Sequence, residues 1–250
     1  MERISLHEGT QTNASLFIFY LSKSFAELGF KILSDYNFLS QKEMDRLKNL
    51  KLEKRRRDWL LGRYTTKSLI QDYLSDSYGQ KVPMRNIEID NYDDGAPFYR
   101  IIGVKEFQDL YISISHSHET ALCAISDSAI GIDIEFVEVR SDAFIRDFFS
   151  EEELRFISGV DTSLKHVLTN LIWSAKESIL KVFHLGLTVD TRYVTCIPKE
   201  KNPREEVMYE FGIKLDDKIY SKIENHLKQK SLKGCWQIKD GFVYTFAVGN

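Results

Sequence analysis

Cysteine is scarce in this sequence, with three residues in 250. Cys123, Cys196 and Cys235 are odd in number and widely spaced, which argues against a disulfide framework or a CxxC metal site and suits a reducing cytoplasm. Long apolar runs are also missing. None approaches the ~18 residues of a spanning helix, and the longest candidate, Ala14 to Leu21, reads as a buried strand. The first residues, Met1-Glu2-Arg3-Ile4-Ser5, lack a basic stretch followed by an apolar one, so no signal peptide is expected. Neither sign of charge dominates. Lys and Arg number 34 against 37 Asp and Glu, a net charge of −3, and no bulk affinity for nucleic acid or an anionic membrane is expected. What remains is ordinary globular material, 43% hydrophobic and 28% charged. It is enough for one large domain or two small ones with a real core.

The pattern along the chain is mixed. A helical stretch is expected from about Ser40, with an amphipathic helix pair through Glu43 to Tyr73. Asn91-Tyr92-Asp93-Asp94-Gly95-Ala96-Pro97 is a turn by composition. It fails as a calcium loop because Tyr92 stands where a ligand should be. Tyr111 to Ser115 alternates with period two and Ala121 to Ile125 is a second apolar run, together a hairpin. Gly131 to Phe136 alternates again. Ser150 with Glu153 three residues on is a capping box that starts a helix. A strongly patterned helix follows from about Leu164 to Phe183, and strands end the chain at Cys235–Ile238 and Phe242–Val248.

There is an internal echo. Trp59, Gly62, Arg63 and Lys67 have the spacing of Trp173, Lys176, Glu177 and Lys181, and a terminal hairpin follows each set. The echo predicts two copies of one helix-plus-sheet unit, residues 1–128 and 129–250, packed face to face with a site between them.

Four groups of residues carry candidate chemistry. In the strand Gly131-Ile132-Asp133-Ile134-Glu135, Asp133 and Glu135 share a face. Carboxylates ~6–7 Å apart along a strand repel unless a cation lies between them. A hard divalent ion such as magnesium would serve, and a solvated edge strand is the alternative. On the helix, Lys176, Trp173, Glu177 and Lys181 fall at about −60°, 0°, 40° and 80°. Leu171, Ile172, Ala175, Ile179, Val182 and Phe183 occupy the opposite arc. Two ammonium groups, a carboxylate and an indole therefore share one offered face. Ser115-His116-Ser117 ends a strand and could bond a phosphate. Arg55-Arg56-Arg57 and Arg63 form an arginine-rich helix face, either solvated or suited to phosphate.

Taken in order and at these separations, Ser115-His116-Ser117, Gly131-x-Asp133-x-Glu135, Phe148-Phe149-Ser150-x-x-Glu153 and Trp173-x-x-Lys176-Glu177-Ser178-x-x-Lys181 resemble the Sfp-type 4′-phosphopantetheinyl transferases. The run from Arg55 to Arg63 resembles the family's N-terminal arginine motif. The resemblance spans about residues 55 to 185. It implies an α+β fold of two tandem helix-plus-antiparallel-sheet units related by a pseudo-twofold, the first contributing to coenzyme A binding and the second carrying the metal and catalytic residues. It implies transfer of the phosphopantetheine arm of coenzyme A to a serine of an apo acyl or peptidyl carrier protein, with release of adenosine 3′,5′-bisphosphate.

By the same resemblance Asp133, Glu135 and Glu177 would hold Mg²⁺. Glu177 would take the serine proton, and Lys181 would neutralise the pyrophosphate and the departing group. Lys176 would contact phosphate or the metal carboxylates. Ser115, His116, Arg55 and Arg63 would hold the nucleotide end of coenzyme A. Many relatives have Gly-Lys-Pro where this chain has Gly95-Ala96-Pro97. That contact is lost or supplied by another cation, such as Arg100. A monomer in the cytoplasm is expected, with Phe144, Phe148, Phe149, Arg140 and Arg146 as candidates for a carrier-docking surface, the alternative being that the phenylalanines are core, which is the favoured reading of Phe148 and Phe149. Competing readings are a non-catalytic coenzyme A or nucleotide-binding module of the same fold and a magnesium-dependent phosphohydrolase.

Overall fold

The computed structural model of the chain describes residues 1–7, 15–103, 110–223 and 231–249. They form two units, Met1–Ser128 and Ala129–Asn250, each a mixture of helices and antiparallel sheet. No helix among the described residues is long and apolar enough to cross a membrane.

The first unit contains β1 (Glu2–His7), β2 (Ser15–Ser24), α1 (Phe25–Ser34), α2 (Gln41–Lys48), α3 (Glu53–Tyr78), β3 (Ile87–Asn91), β4 (Pro97–Ile101), β5 (Tyr111–Ser117) and β6 (Thr120–Ser126). Its main sheet has the order β1-β2-β6-β5, and β3 and β4 form a hairpin. The expected strand and hairpins are present, although Ala14 lies outside the described residues. Ser117 pairs with Thr120, leaving a two-residue turn at His118 and Glu119. Both have positive φ, 43° and 58°, the twist that a tight antiparallel hairpin requires. Sequence reasoning passed over β1 and α1. The second had a readable signal: the amide of Glu27 donates to Ser24 Oγ at 3.3 Å and the amide of Ser24 to Glu27 Oε2 at 3.0 Å, a capping box. Leu69, Ile70, Tyr73 and Leu74 of α3 bury against Ile112, Cys123 and Ile125 of the sheet.

The second unit contains β7 (Ala129–Phe136), α4 (Asp142–Phe148), α5 (Glu151–Ser158), α6 (Thr162–Val182), β8 (Val194–Pro198), β9 (Tyr209–Leu215), α7 (Asp217–Tyr220), β10 (Leu232–Lys239) and β11 (Phe242–Gly249). The strand order is β7-β11-β10-β9-β8, antiparallel throughout. The capping box at Ser150 and Glu153 is present. The apolar arc of α6 buries Leu171, Ala175, Ile179 and Val182 in one core with Trp236, Val243 and Ala247 of the sheet. Contact between α6 and β7 is close enough to need glycine. A Cβ on Gly131 would stand 1.9 Å from the backbone oxygen of Ser178. This approach sets the strand bearing Asp133 and Glu135 against the helix bearing Glu177.

Each unit buries one lysine of its long helix against a capping-box glutamate. Lys67 is buried and bonds Glu43, which belongs to a capping box with Ser40. Lys176 is buried and bonds Glu153, which belongs to the capping box with Ser150. The echo's spacing sets Lys67 beside Lys181, whereas by its buried glutamate partner Lys67 resembles Lys176. Spacing within one helix could not show this, because the match is defined by a glutamate on another helix.

Candidate active site

The candidate residues of the second unit converge on the face of β7 that meets α6. Alternation along the strand turns Asp133 and Glu135 toward the helix. On α6, Trp173, Glu177 and Lys181 follow one another at four-residue intervals and so share a face. Lys181 Nζ donates to Asp133 Oδ1 and to the carbonyl of Ile132, both at 2.9 Å. Trp173 Nε1 donates to Glu135 Oε1 at 3.2 Å. Arg140 donates to Glu135 Oε2 at 2.9 Å. The Trp173 ring is walled by Phe144 and Phe148, with centroids at 5.0 and 5.2 Å.

Burial dominates the electrostatics. Glu177 is pushed up to about 7, first by burial and then by Asp133 and Glu135, with Lys181 opposing. Glu135 is also raised, by burial and by Asp133, against the pull of Arg140 and Trp173. A carboxylate that titrates near neutrality can accept a proton and release it again. Glu177 Oε1 is buried and has no hydrogen-bond partner among the described residues. A buried bare oxygen beside a second carboxylate suits an oxygen-seeking cation, and Asp133 and Glu177 fit one.

Glu135 does not fit in the same way. Among the described residues no three His, Cys, Asp or Glu side chains stand together ready to hold a metal ion. Of the expected triad, Asp133 and Glu135 both stand close enough to raise Glu177, while both oxygens of Glu135 are engaged by Arg140 and Trp173.

Lys176 is a second correction. Its ammonium has no exposed surface and uses three donors inward, to Glu153 Oε2 at 2.7 Å and to the carbonyls of Thr191 and Val194 at 2.9 and 2.6 Å. It lies at the edge of the arc shared with Trp173 and turns into the core instead of toward phosphate. Arg140 and Asn170 are residues that sequence reasoning did not place here. Arg140, expected as a docking charge, is largely buried and bonds Asn170 Oδ1 at 2.8 Å besides Glu135. Phe149 is core. Nothing in the periodicity marks Arg140, which lies beyond the end of β7.

The first unit holds the other candidates. Arg55 is exposed on the first turn of α3. Arg63 is buried 3.7 Å from Glu43, and burial pulls its guanidinium down to about 10, so it is a core partner and not an open phosphate ligand. His116 is exposed and its ring lies over Gly62, where a Cβ would come within 2.4 Å of Nε2. Ser115 is buried, and alternation turns it to the other face of the sheet from His116. The two do not present their side chains together. Arg100 bonds Glu88.

Residues 129–237 match the family model described as the 4′-phosphopantetheinyl transferase superfamily. The chain is 27% identical over 139 residues to 4′-phosphopantetheinyl transferase gsp of Aneurinibacillus migulanus, covering 56% of this chain and 54% of that protein. It is 31% identical over 86 residues to 4′-phosphopantetheinyl transferase Sfp of Bacillus subtilis (strain 168), covering 34% of this chain and 38% of that one. In the longest of these matches the chain spans about half the length of its curated relative. Among solved structures, a holo-(acyl-carrier-protein) synthase from Bacillus anthracis str. Ames in complex with CoA (3′,5′-ADP) is 23% identical, with 44% of this chain and 92% of that one covered at a TM-score of 0.36. That score is too low to carry structural detail across. The motifs on β7 and α6 and the sequence matches agree: through residues 129–237 the chain is similar to the 4′-phosphopantetheinyl transferase superfamily, Sfp among the proteins it resembles.

Proposed function

We propose that this chain transfers the 4′-phosphopantetheine group of coenzyme A to a serine of an apo acyl or peptidyl carrier protein. The observation that carries the reading is the placement of Glu177, a half-buried carboxylate titrating at about 7 beside Asp133 and Lys181. The serine oxygen attacks the phosphorus that bears the pantetheine arm. A new phosphodiester bond forms, the bridging P–O bond of the pyrophosphate breaks, and adenosine 3′,5′-bisphosphate leaves with the bonding electrons. Glu177 takes the serine proton, directly or through one water. Lys181 faces the developing negative charge and shifts from Asp133 to the phosphates as they enter. Asp133 and Glu177 would hold Mg²⁺, which supplies Lewis-acid neutralisation of the phosphate oxygens when bound. Trp173, backed by Phe144 and Phe148, shapes the site without reacting.

His116 and the exposed Arg55 are read as the coenzyme A contacts of the first unit. The two units are read as copies of one plan, supported by the same capping-box glutamate on a buried helix lysine in each. A monomer fits two such units in one chain, and three buried free cysteines suit a cytoplasmic setting.

The experiment is incubation with coenzyme A, Mg²⁺ and a panel of apo carrier proteins, read by intact mass. Transfer adds the phosphopantetheine mass to a carrier and releases one adenosine 3′,5′-bisphosphate per addition. Breakdown of coenzyme A without a carrier would replace this reading with a phosphohydrolase. Binding without turnover would replace it with a non-catalytic module.

A further inference from the structure

Glu135 is held more firmly than a waiting metal ligand needs to be. One oxygen accepts from Trp173 at 3.2 Å and the other from Arg140 at 2.9 Å. Arg140 is itself fixed. Its Nε donates to Asn170 Oδ1 at 2.8 Å, its other terminal nitrogen lies 3.3 Å from Glu138, and its guanidinium stands 5.2 Å from the Phe144 ring. Asn170 cannot turn away, because its amide nitrogen donates to the carbonyls of Glu138 and His166 at 2.7 and 2.8 Å. The buried amide therefore presents its oxygen to Arg140 and nowhere else. A pinned guanidinium occupies the cation side of Glu135, and a divalent ion drawn to the same carboxylate would meet a like charge beside it.

We infer that Arg140 and a divalent cation compete for Glu135, so that the cation is held by Asp133 and Glu177 while Arg140 keeps Glu135 as the anchor of Trp173. The inference rests on the reading of this face as a metal-assisted site. Arg140 is a positioning residue in it. It acts through Glu135 on Trp173 and limits how tightly the cation is held, which favours exchange between turnovers.

The test is Mn²⁺ binding to the full chain after treatment with chelator, read by the electron paramagnetic resonance signal of free Mn²⁺, with thermal unfolding of each variant in parallel. Asp133→Asn and Glu177→Gln should weaken binding about tenfold or more, whereas Glu135→Gln should stay within about threefold of the native chain. Arg140→Gln should tighten binding by about threefold or more, and adding Glu135→Gln to it should remove the gain. Arg140→Lys, which keeps the charge, should stay near native. If Glu135→Gln fails to fold, Glu135→Asp in the Arg140→Gln background takes its place, since loss of a nearby positive charge would by itself tighten a cation site. A native chain that binds Mn²⁺ and loses it about tenfold in Glu135→Gln would overturn the competition and leave the metal site standing. So would an Arg140→Gln variant no tighter than native. If neither the native chain nor Arg140→Gln takes up Mn²⁺, the metal reading itself falls with the inference.

Discussion

Lys176 Nζ lies 2.7 Å from Glu153 Oε2, and neither side chain has exposed surface. The lysine lies on α6 between two residues that face the candidate site, yet its charge is spent on joining α5 to α6. Glu153 accepts as well from the amides of Ser150 and Cys196, both at 2.7 Å. Burial raises its carboxyl, while Lys176 and these amides oppose the rise. The pair holds helix start, helix face and edge strand together.

Removing one partner should therefore unfold the chain more easily than it alters chemistry. Lys176→Met leaves a buried carboxylate uncompensated and should cost about 3–5 kcal/mol. Lys181→Met, with its partly exposed ammonium, should cost about 1 kcal/mol or less. Urea unfolding of both variants makes the comparison. Equal losses would mean that the buried pair is no more structural than its neighbour.

Glu177 makes a prediction about pH. Its carboxyl rises from 4.5 to about 7 in the folded chain. Between those values the folded state binds the extra proton, so stability falls as pH rises through the interval and is lowest above it. In chelator, Glu177→Gln should remove that fall and stabilise the chain above pH 7 by up to about 3 kcal/mol. The proposed transfer should rise through the same interval as the base form appears. Parallel unfolding curves at acid and alkaline pH check the sign. An Asp133→Asn variant with the native pH dependence would remove Asp133 as a cause of the shift.

Much of the second unit was legible because its signals are local. Alternation placed Asp133 and Glu135 on one face, the four-residue interval placed Glu177 and Lys181 on another, and Ser150 with Glu153 marked a helix start. The fate of Lys176 was not legible. It depends on where α5 packs against α6, and a helical wheel has no knowledge of a neighbouring helix. Arg140 follows the strand in an irregular segment, where no period predicts direction. In the first unit Arg63 read as a phosphate ligand through the resemblance of its arginine run, but Glu43 of α2 draws it into the core.

Lys181 should act mainly on the transition state. It donates to Asp133 and the Ile132 carbonyl at 2.9 Å and in the proposed reaction faces the leaving group. Lys181→Ala should lower kcat far more than it raises the dissociation constant for coenzyme A. Calorimetric affinity alongside turnover separates the two. A rise in KM with unchanged kcat would make Lys181 a binding residue only.

Two glycines should respond differently to the same methyl group. At Gly131 a Cβ would stand 1.9 Å from the Ser178 carbonyl oxygen and 2.7 Å from the Val182 amide nitrogen. Both are backbone atoms of α6 and cannot step aside, so β7 must part from the helix. Gly131→Ala should cost about 3 kcal/mol or more and move Asp133, two residues on, away from Lys181. At Gly62 the Cβ would meet the end of the His116 ring at 2.4 Å, and that ring can rotate toward solvent. Gly62→Ala should then cost about 1 kcal/mol. Its main effect should be on the affinity for coenzyme A, through displacement of His116. Unfolding midpoints together with calorimetric titration of coenzyme A compare the pair. If Gly62→Ala destabilises as much as Gly131→Ala and leaves affinity unchanged, His116 is packing for α3 and the coenzyme A contact must be sought elsewhere.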